Sequence, residues 1–164
     1  MWLLAACATP PRVEDARVPP GALPAIDLLT LEGNHQSLAT TLAGRPALVS
    51  LWATWCEACS KEFDSLNRLD ASARSRGAVV VGIAIGEPRA TVAEFVTRNG
   101  LGYTQLVDEE FHFADALGQK KVPATLVVNR EGRVTFVGGV FDQAAIHALD
   151  AALVIGHERA AHNR

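Results

Sequence analysis

From residue 23 onward the chain alternates between the strand and helix periods of hydrophobic placement. Residues 26–31 and 35–38 read as a loose hairpin that turns at Gly33-Asn34. Residues 47–53 are an almost unbroken apolar run, the pattern of a strand covered on both faces. Behind Cys56, the positions Cys59, Phe63, Leu66, Leu69 and Ala73 step by four, three, three and four, which marks one helical face stopped at Gly77. Residues 78–85 form a second buried strand that ends at Gly86-Glu87-Pro88. Val92, Phe95 and Val96 give helical spacing to residues 91–97, before a stop at Asn99-Gly100. A short strand at 103–107 and a helix at 109–117, closed by Gly118, follow. The pattern then changes: strands at 124–128 and 134–137 flank the tight turn Asn129-Arg130-Glu131-Gly132, an antiparallel hairpin. A last helix over 142–154 places Ile146, Leu149 and Leu153 on one face. The order βαβαβα then ββα predicts an α/β domain with a central mixed sheet, helices on both faces and an N-terminal β-hairpin extension.

The flanks read differently. Residues 1–21 begin with a short apolar stretch ending at Cys7, then a segment with four prolines and balanced charge, which predicts an extended, semi-rigid spacer. The domain is expected over 22–156, and residues 157–164 read as a polar, frayed tail. With 164 residues, 49% of them apolar and 20% charged, the chain fits one globular domain. Fifteen basic against eighteen acidic residues give a net charge of −3, so no basic stripe for nucleic acid is expected. No apolar run approaches the roughly 20 residues of a spanning helix. Three cysteines are too few for a disulfide-stapled miniprotein or a four-cysteine zinc ribbon.

The chemistry concentrates in Trp52-Ala53-Thr54-Trp55-Cys56-Glu57-Ala58-Cys59, where a buried strand becomes a helix. Residues three apart share a helical face, so Cys56 and Cys59 can be bridged without distorting the backbone. Cys56 falls at the helix mouth, where unpaired N–H groups and the helix dipole favour a thiolate. Such placement lowers a cysteine pKa from about 8.5 to between roughly 3.5 and 7.5. Cys56 is therefore the expected nucleophile, and Cys59, a turn deeper, the residue that resolves a mixed disulfide. Two structural thiols or half a metal site are the competing readings. An aromatic directly before Cys56 and the lack of a second cysteine pair favour redox chemistry. The five histidines, at positions 35, 112, 147, 157 and 162, form no ligand spacing, and no metal site is expected.

These residues resemble the thioredoxin superfamily, and within it the TlpA/ResA-like branch of extracytoplasmic thiol-disulfide oxidoreductases, over about residues 23–155. The resemblance rests on the Trp55-Cys56-Glu57-Ala58-Cys59 site, on Val122-Pro123-Ala124-Thr125, similar to the cis-proline loop, and on Gly82-Ile83-Ala84-Ile85-Gly86-Glu87. It implies that Trp55, Val122 and Pro123 contact the substrate chain, and that Glu87 lies near Cys59 and shuttles its proton. Two departures stand out: Ser50 replaces the aspartate of ordinary thioredoxins, and Ala58 replaces the proline this branch often has.

The resemblance further implies a reductant of disulfides in exported proteins, apocytochrome c among them. Electrons would come from a membrane thiol-transporting reductase, and no cofactor beyond the Cys56–Cys59 couple is needed. The expected protein is a monomer. A general thioredoxin-like reductase is one alternative. A copper chaperone of the Sco type, pairing the cysteines with His112, is another. Glu57 beside Cys56 opposes thiolate formation, which predicts a potential nearer −270 mV than −120 mV on the scale of about those limits. Finally, Leu4-Ala5-Ala6-Cys7 resembles a bacterial lipobox, which predicts a lipidated Cys7 and a membrane-tethered, extracytoplasmic domain. Residues 1–6 are shorter than a signal h-region, so either the true start lies upstream or Cys7 is an incidental thiol.

Overall fold

Two neighbouring strands, β3 (Ala47–Trp52) and β4 (Val79–Ile85), are buried at every position and form the centre of the sheet. The computed structural model describes residues 21–161, with side chains through residue 154; Cys7 and the spacer ahead of residue 21 lie outside the described residues. Although both strands look uniformly apolar in sequence, their side chains still alternate between two cores. Leu48, Trp52, Val80 and Ala84 face one, and Ala47, Val49, Leu51, Val81 and Ile83 face the other. A strand can be apolar at consecutive positions only when both faces are roofed by helices, as here.

The remaining strands are β1 (Asp27–Thr30), β2 (His35–Ser37), β5 (Thr104–Asp108), β6 (Ala124–Val128) and β7 (Val134–Gly138). They assemble into one seven-stranded sheet in the order β2-β1-β5-β4-β3-β6-β7. Strands β3, β4 and β5 run parallel, while β6 is antiparallel to β3 and β7 antiparallel to β6. The first core is covered by α3 (Phe63–Ser75), α4 (Arg89–Asn99) and α6 (Gln143–Ala161), and the second by α1 (Leu38–Leu42) and α5 (His112–Ala116). The first core also encloses both Cys56 and Cys59. At the β6–β7 turn, the Leu23 N–H donates to the Gly132 carbonyl at 3.2 Å, and the Val134 N–H donates to the Gly21 carbonyl at 2.9 Å.

Four elements differ from the sequence expectation. The second hairpin strand stops at Ser37, because its side chain accepts a hydrogen bond from the Thr40 N–H at 3.1 Å and starts α1. The helix behind Cys56 is two helices, α2 (Glu57–Ser60) and α3, parted at Lys61 and Glu62. Helix α5 begins at His112, later than expected, because Asp108 caps it through the N–H groups of Phe113 and Ala114. Helix α6 continues through Gly156 to Ala161, past the end expected near 154. A single glycine costs a helix only about 1 kcal/mol, too little to stop it.

One polar pair is sealed between the strands. The Trp52 Nε1–H donates to Gln105 Oε1 at 3.1 Å, and Gln105 Nε2 donates to the Tyr103 carbonyl at 3.3 Å. Both side chains lie over Gly82, where an added Cβ would come within 2.9 Å of Trp52 Nε1 and closer still to Gln105. Gly82→Ala should therefore break this pair and lower the unfolding free energy by about 2 kcal/mol. Calorimetry should then show a melting midpoint roughly 4–8 °C below that of the parent.

Candidate active site

Strand β3 releases the chain at Ala53, and the Cys56 N–H donates back to the Ala53 carbonyl at 3.1 Å, closing a tight turn. Cys56 then caps α2: its backbone is extended (φ −84°, ψ 99°), and its Sγ accepts a hydrogen bond from the Cys59 N–H at 3.2 Å. The two sulfurs are joined in a disulfide across a Cα separation of 5.3 Å. Cys56 is 7% exposed and Cys59 only 1%, so Cys56 is the sulfur that an outside partner reaches. Helix α2 has four residues, which makes its own dipole small. The local Cys59 amide is thus the group that favours a Cys56 thiolate, more than the macrodipole that the sequence suggested.

On the β6 side, Val122 and Pro123 precede Ala124, which pairs with Leu51 at the end of β3. The Val122–Pro123 peptide is cis, as the resemblance implied. This register sets the loop opposite the segment that leaves β3 for Cys56. Trp55, between the buried strand and the nucleophile, is 69% exposed.

On the β4 side, Glu87 follows the strand and grips Thr54 with both oxygens. Its Oε2 accepts from the Thr54 N–H at 2.7 Å, and its Oε1 accepts from the Thr54 hydroxyl. Both bonds go to the turn that carries Cys56. Glu57, expected to oppose the Cys56 thiolate, pairs with Lys61 at 3.0 Å on an open surface. That pairing and solvent screening leave it little leverage on the sulfur.

A different acid lies next to Cys59. Glu62 caps α3, its N–H donates to the Cys59 carbonyl at 3.0 Å, and only 7% of the residue is exposed. Its Oε1 accepts from the Phe141 N–H at 2.7 Å, while its buried Oε2 meets no partner. Burial raises the Glu62 pKa above the ordinary carboxylate value, and the Phe141 amide only partly opposes the shift. Below it, burial pushes the Tyr103 hydroxyl upward, with the Gln105 side chain opposing and the Glu62 charge adding to the rise. The sequence reading missed Glu62, although a signal was present. It falls three residues after Cys59 and four before Leu66, a charged residue in an otherwise apolar helical face.

His112 is exposed at the start of α5, with Nε2 3.4 Å from Glu110 Oε2. Among the described residues, no group of three His, Cys, Asp or Glu side chains is arranged to hold a metal ion. No helix among them is long and apolar enough to cross a membrane.

Beside Glu87, Phe111 packs against Gly86. It takes a left-handed backbone (φ 61°), which costs a non-glycine residue roughly 1–2 kcal/mol. Its ring fills the space where Gly86 lacks a Cβ.

Comparison with known proteins agrees with this geometry. The sequence matches the Redoxin family over residues 18–153. It is 30% identical over 115 residues to the thiol-disulfide oxidoreductase ResA of Halalkalibacterium halodurans, a match covering 69% of this chain and 65% of that one. It is 31% identical over 118 residues to the thiol:disulfide interchange protein DsbE of Pseudomonas fluorescens, covering 70% of this chain and 64% of the relative. The chain therefore spans just under two thirds of the length of these relatives. Among solved structures, a thiol:disulfide interchange protein of the thioredoxin family from Chlorobium tepidum superimposes with a TM-score of 0.68 at 25% identity, over 82% of this chain and 97% of that one. With the bridged Cys56–Cys59 pair at the mouth of β3 and a cis Pro123 opposite it, the chain belongs to the Redoxin family, as a ResA-like member of the thioredoxin superfamily.

Proposed function

We propose that this protein is a thiol-disulfide oxidoreductase that acts mainly as a reductant of disulfides in exported proteins. The observation that carries the reading is the bridged pair itself, with Cys56 less deeply buried than Cys59 and a cis-proline loop across from both. In the reduced protein, the Cys56 thiolate attacks one sulfur of a substrate disulfide. A mixed disulfide forms and the substrate's other sulfur leaves as a thiolate, which takes up a proton. Cys59 then loses its proton and attacks Cys56 Sγ, forming the intramolecular disulfide and expelling the first substrate sulfur, which is protonated in turn. Two electrons have moved to the substrate, and an external dithiol must return two to reopen the Cys56–Cys59 bond.

Trp55, Val122 and Pro123 are the proposed substrate contacts, by analogy of position with the cis-proline loop of the family. Glu62 is the proposed acceptor of the Cys59 proton, because its backbone is hydrogen-bonded to Cys59 and burial raises its proton affinity. Glu87 takes a positioning role: it fixes Thr54, and so the turn that aims Cys56. Apocytochrome c is a candidate substrate and a membrane thiol-transporting reductase a candidate donor, both carried over from the ResA-like resemblance. The same resemblance supports an extracytoplasmic placement, with anchoring through a lipidated Cys7 as part of the proposal.

Cys59→Ser should leave Cys56 able to attack but unable to be released. Expressed in cells, it should accumulate mixed disulfides that dithiothreitol dissolves and that non-reducing gels resolve. Finding no such adducts, while Cys56 remains alkylatable, would count against the assignment.

Glu87→Gln replaces an acceptor for Thr54 with an amide donor and loosens the turn. Mixed-disulfide formation should slow about tenfold, as modest misplacement of a reacting group does. A stopped-flow rate equal to that of the parent would remove Glu87 from the positioning role.

Glu62→Gln tests the buried acid through stability. A carboxyl whose folded pKa is raised stabilises the fold below its unfolded value, near 4.3, and that contribution is lost as pH rises through the raised folded value. The parent should lose stability over this window and the glutamine variant should not. Melting midpoints of the two should therefore coincide near pH 4 and diverge in favour of the variant toward pH 7. A gap that does not change with pH would show that Glu62 titrates normally.

A further inference from the structure

The described residues leave four large hydrophobic side chains exposed: Trp55, Phe111, Val140 and Val154. Three of them sit in the loops that follow β3, β5 and β7. These strands run in the same direction, so the three loops emerge at one end of the sheet, the end where Cys56 leaves β3. Scattered exposed apolar residues need no explanation, but three at the one end of the sheet from which Cys56 emerges point to a surface that a partner covers.

Phe111 is the most informative of them. It is 41% exposed, so its ring is not held there by burial in the core. Its left-handed backbone (φ 61°) suits glycine and disfavours an aromatic residue. Its ring lies on the backbone of Gly86, which has its own positive φ of 70° and where any Cβ would clash with the ring. The next residue, Glu87, grips Thr54, and Thr54 is followed directly by Trp55 and Cys56. One continuous path of contacts thus joins the strained ring to the reactive sulfur, on the side of β3 away from the cis Pro123 loop. Two local costs, a bulky residue where glycine is favoured and a neighbour that must be glycine, keep a half-open aromatic ring beside the site.

We infer that Phe111, with Trp55, forms an apolar subsite that selects polypeptide disulfides whose cysteine is flanked by a bulky apolar side chain. The inference rests on the oxidoreductase reading and names the class of substrate it favours. A segment of unfolded exported protein has this character, since its core side chains are still exposed. A substrate chain laid across Cys56 would meet Pro123 on one side and Phe111 on the other, and covering the ring would remove apolar surface from water.

The test uses two synthetic peptides with the same intramolecular disulfide, one with leucine on both sides of each cysteine and one with glycine. Reduced parent protein should show a higher kcat/KM for the leucine peptide. In Phe111→Gly the leucine-to-glycine ratio should fall about three- to tenfold, the order expected from losing one partly covered ring. The melting midpoint should not drop, because glycine accepts φ 61° freely. Phe111→Trp keeps an aromatic surface at the same place and should retain the ratio. An unchanged ratio in Phe111→Gly overturns the inference, whatever happens to the melting point, and leaves the ring as a plug over Gly86. A parent that reduces both peptides equally also overturns it and leaves the oxidoreductase reading intact. A parent that reduces neither peptide removes that reading, and the subsite with it.

Discussion

Strand β3 is buried at all six of its positions, and four residues after its end comes Cys56, the less deeply buried half of the disulfide. That transition is the constraint from which the rest of the site follows. A turn this short, between a sealed strand and an open helix mouth, leaves the backbone groups of 53–56 with few partners of their own. The structure provides them from several sides. Ala53 accepts from the Cys56 amide, Glu87 takes the Thr54 amide and hydroxyl, and Cys56 Sγ takes the Cys59 amide. Each neighbour of β3 thereby contributes: β4 supplies the carboxylate, and β6 supplies the proline loop set opposite the turn by the Leu51–Ala124 register.

Three acids near the sulfurs show how environment divides labour among identical groups. Glu57 is exposed and paired with Lys61, so water and its partner mute it. Glu87 spends both oxygens on Thr54 and acts through geometry. Glu62 is buried with one oxygen bare, and its proton affinity rises. The contrast shifts the electrostatic argument away from the motif residue beside Cys56 and toward an acid outside the motif. A charge on the surface shares its field with solvent, whereas the same charge under the helix cannot.

Much of this was legible in the chain. The parallel strands were visible as apolar runs too dense for a one-sided sheet, and the hairpin of β6 and β7 was visible in its Asn-Arg-Glu-Gly turn. The strand-to-helix position of Cys56 and Cys59 followed from the same periodicity. What escaped was local competition between side chains and backbone. Ser37 ends a strand by capping α1 through one hydrogen bond, and Asp108 moves the start of α5 to His112 through two, none of which periodicity registers. The break at Lys61 and Glu62 was hidden because apolar steps of three and four continue smoothly across it. Partner choice for Glu87 and Glu62 depended on tertiary distances, and a carboxylate's position in sequence says nothing of which amides will face it. The resemblance to the thioredoxin superfamily supplied the Pro123 isomer, which no propensity argument favours.

The buried carboxylates of this molecule differ in how fully they are satisfied. Asp70 is buried, and both its oxygens are used, one by the Val80 amide at 3.1 Å and one by Arg74 at 2.7 Å. Asp108 is buried as well, and its oxygens accept the amides of Phe113 and Ala114 at 3.2 and 2.9 Å. Glu62 is as deeply placed as these two, yet it accepts one amide and leaves its second oxygen bare. The Tyr103 hydroxyl and Arg130 Nε are likewise buried without partners, so Glu62 stands apart from the other two buried carboxylates and not from every buried polar group. An incompletely bonded acid is the kind that can take up and release a proton without tearing apart a network. The exposed Trp55 and the strained Phe111 belong to the same end of the sheet. Among the described residues, the end of the sheet where Cys56 emerges thus carries both exposed aromatic rings and one of the two non-glycine residues with positive φ, the other being Ala43 at the end of α1.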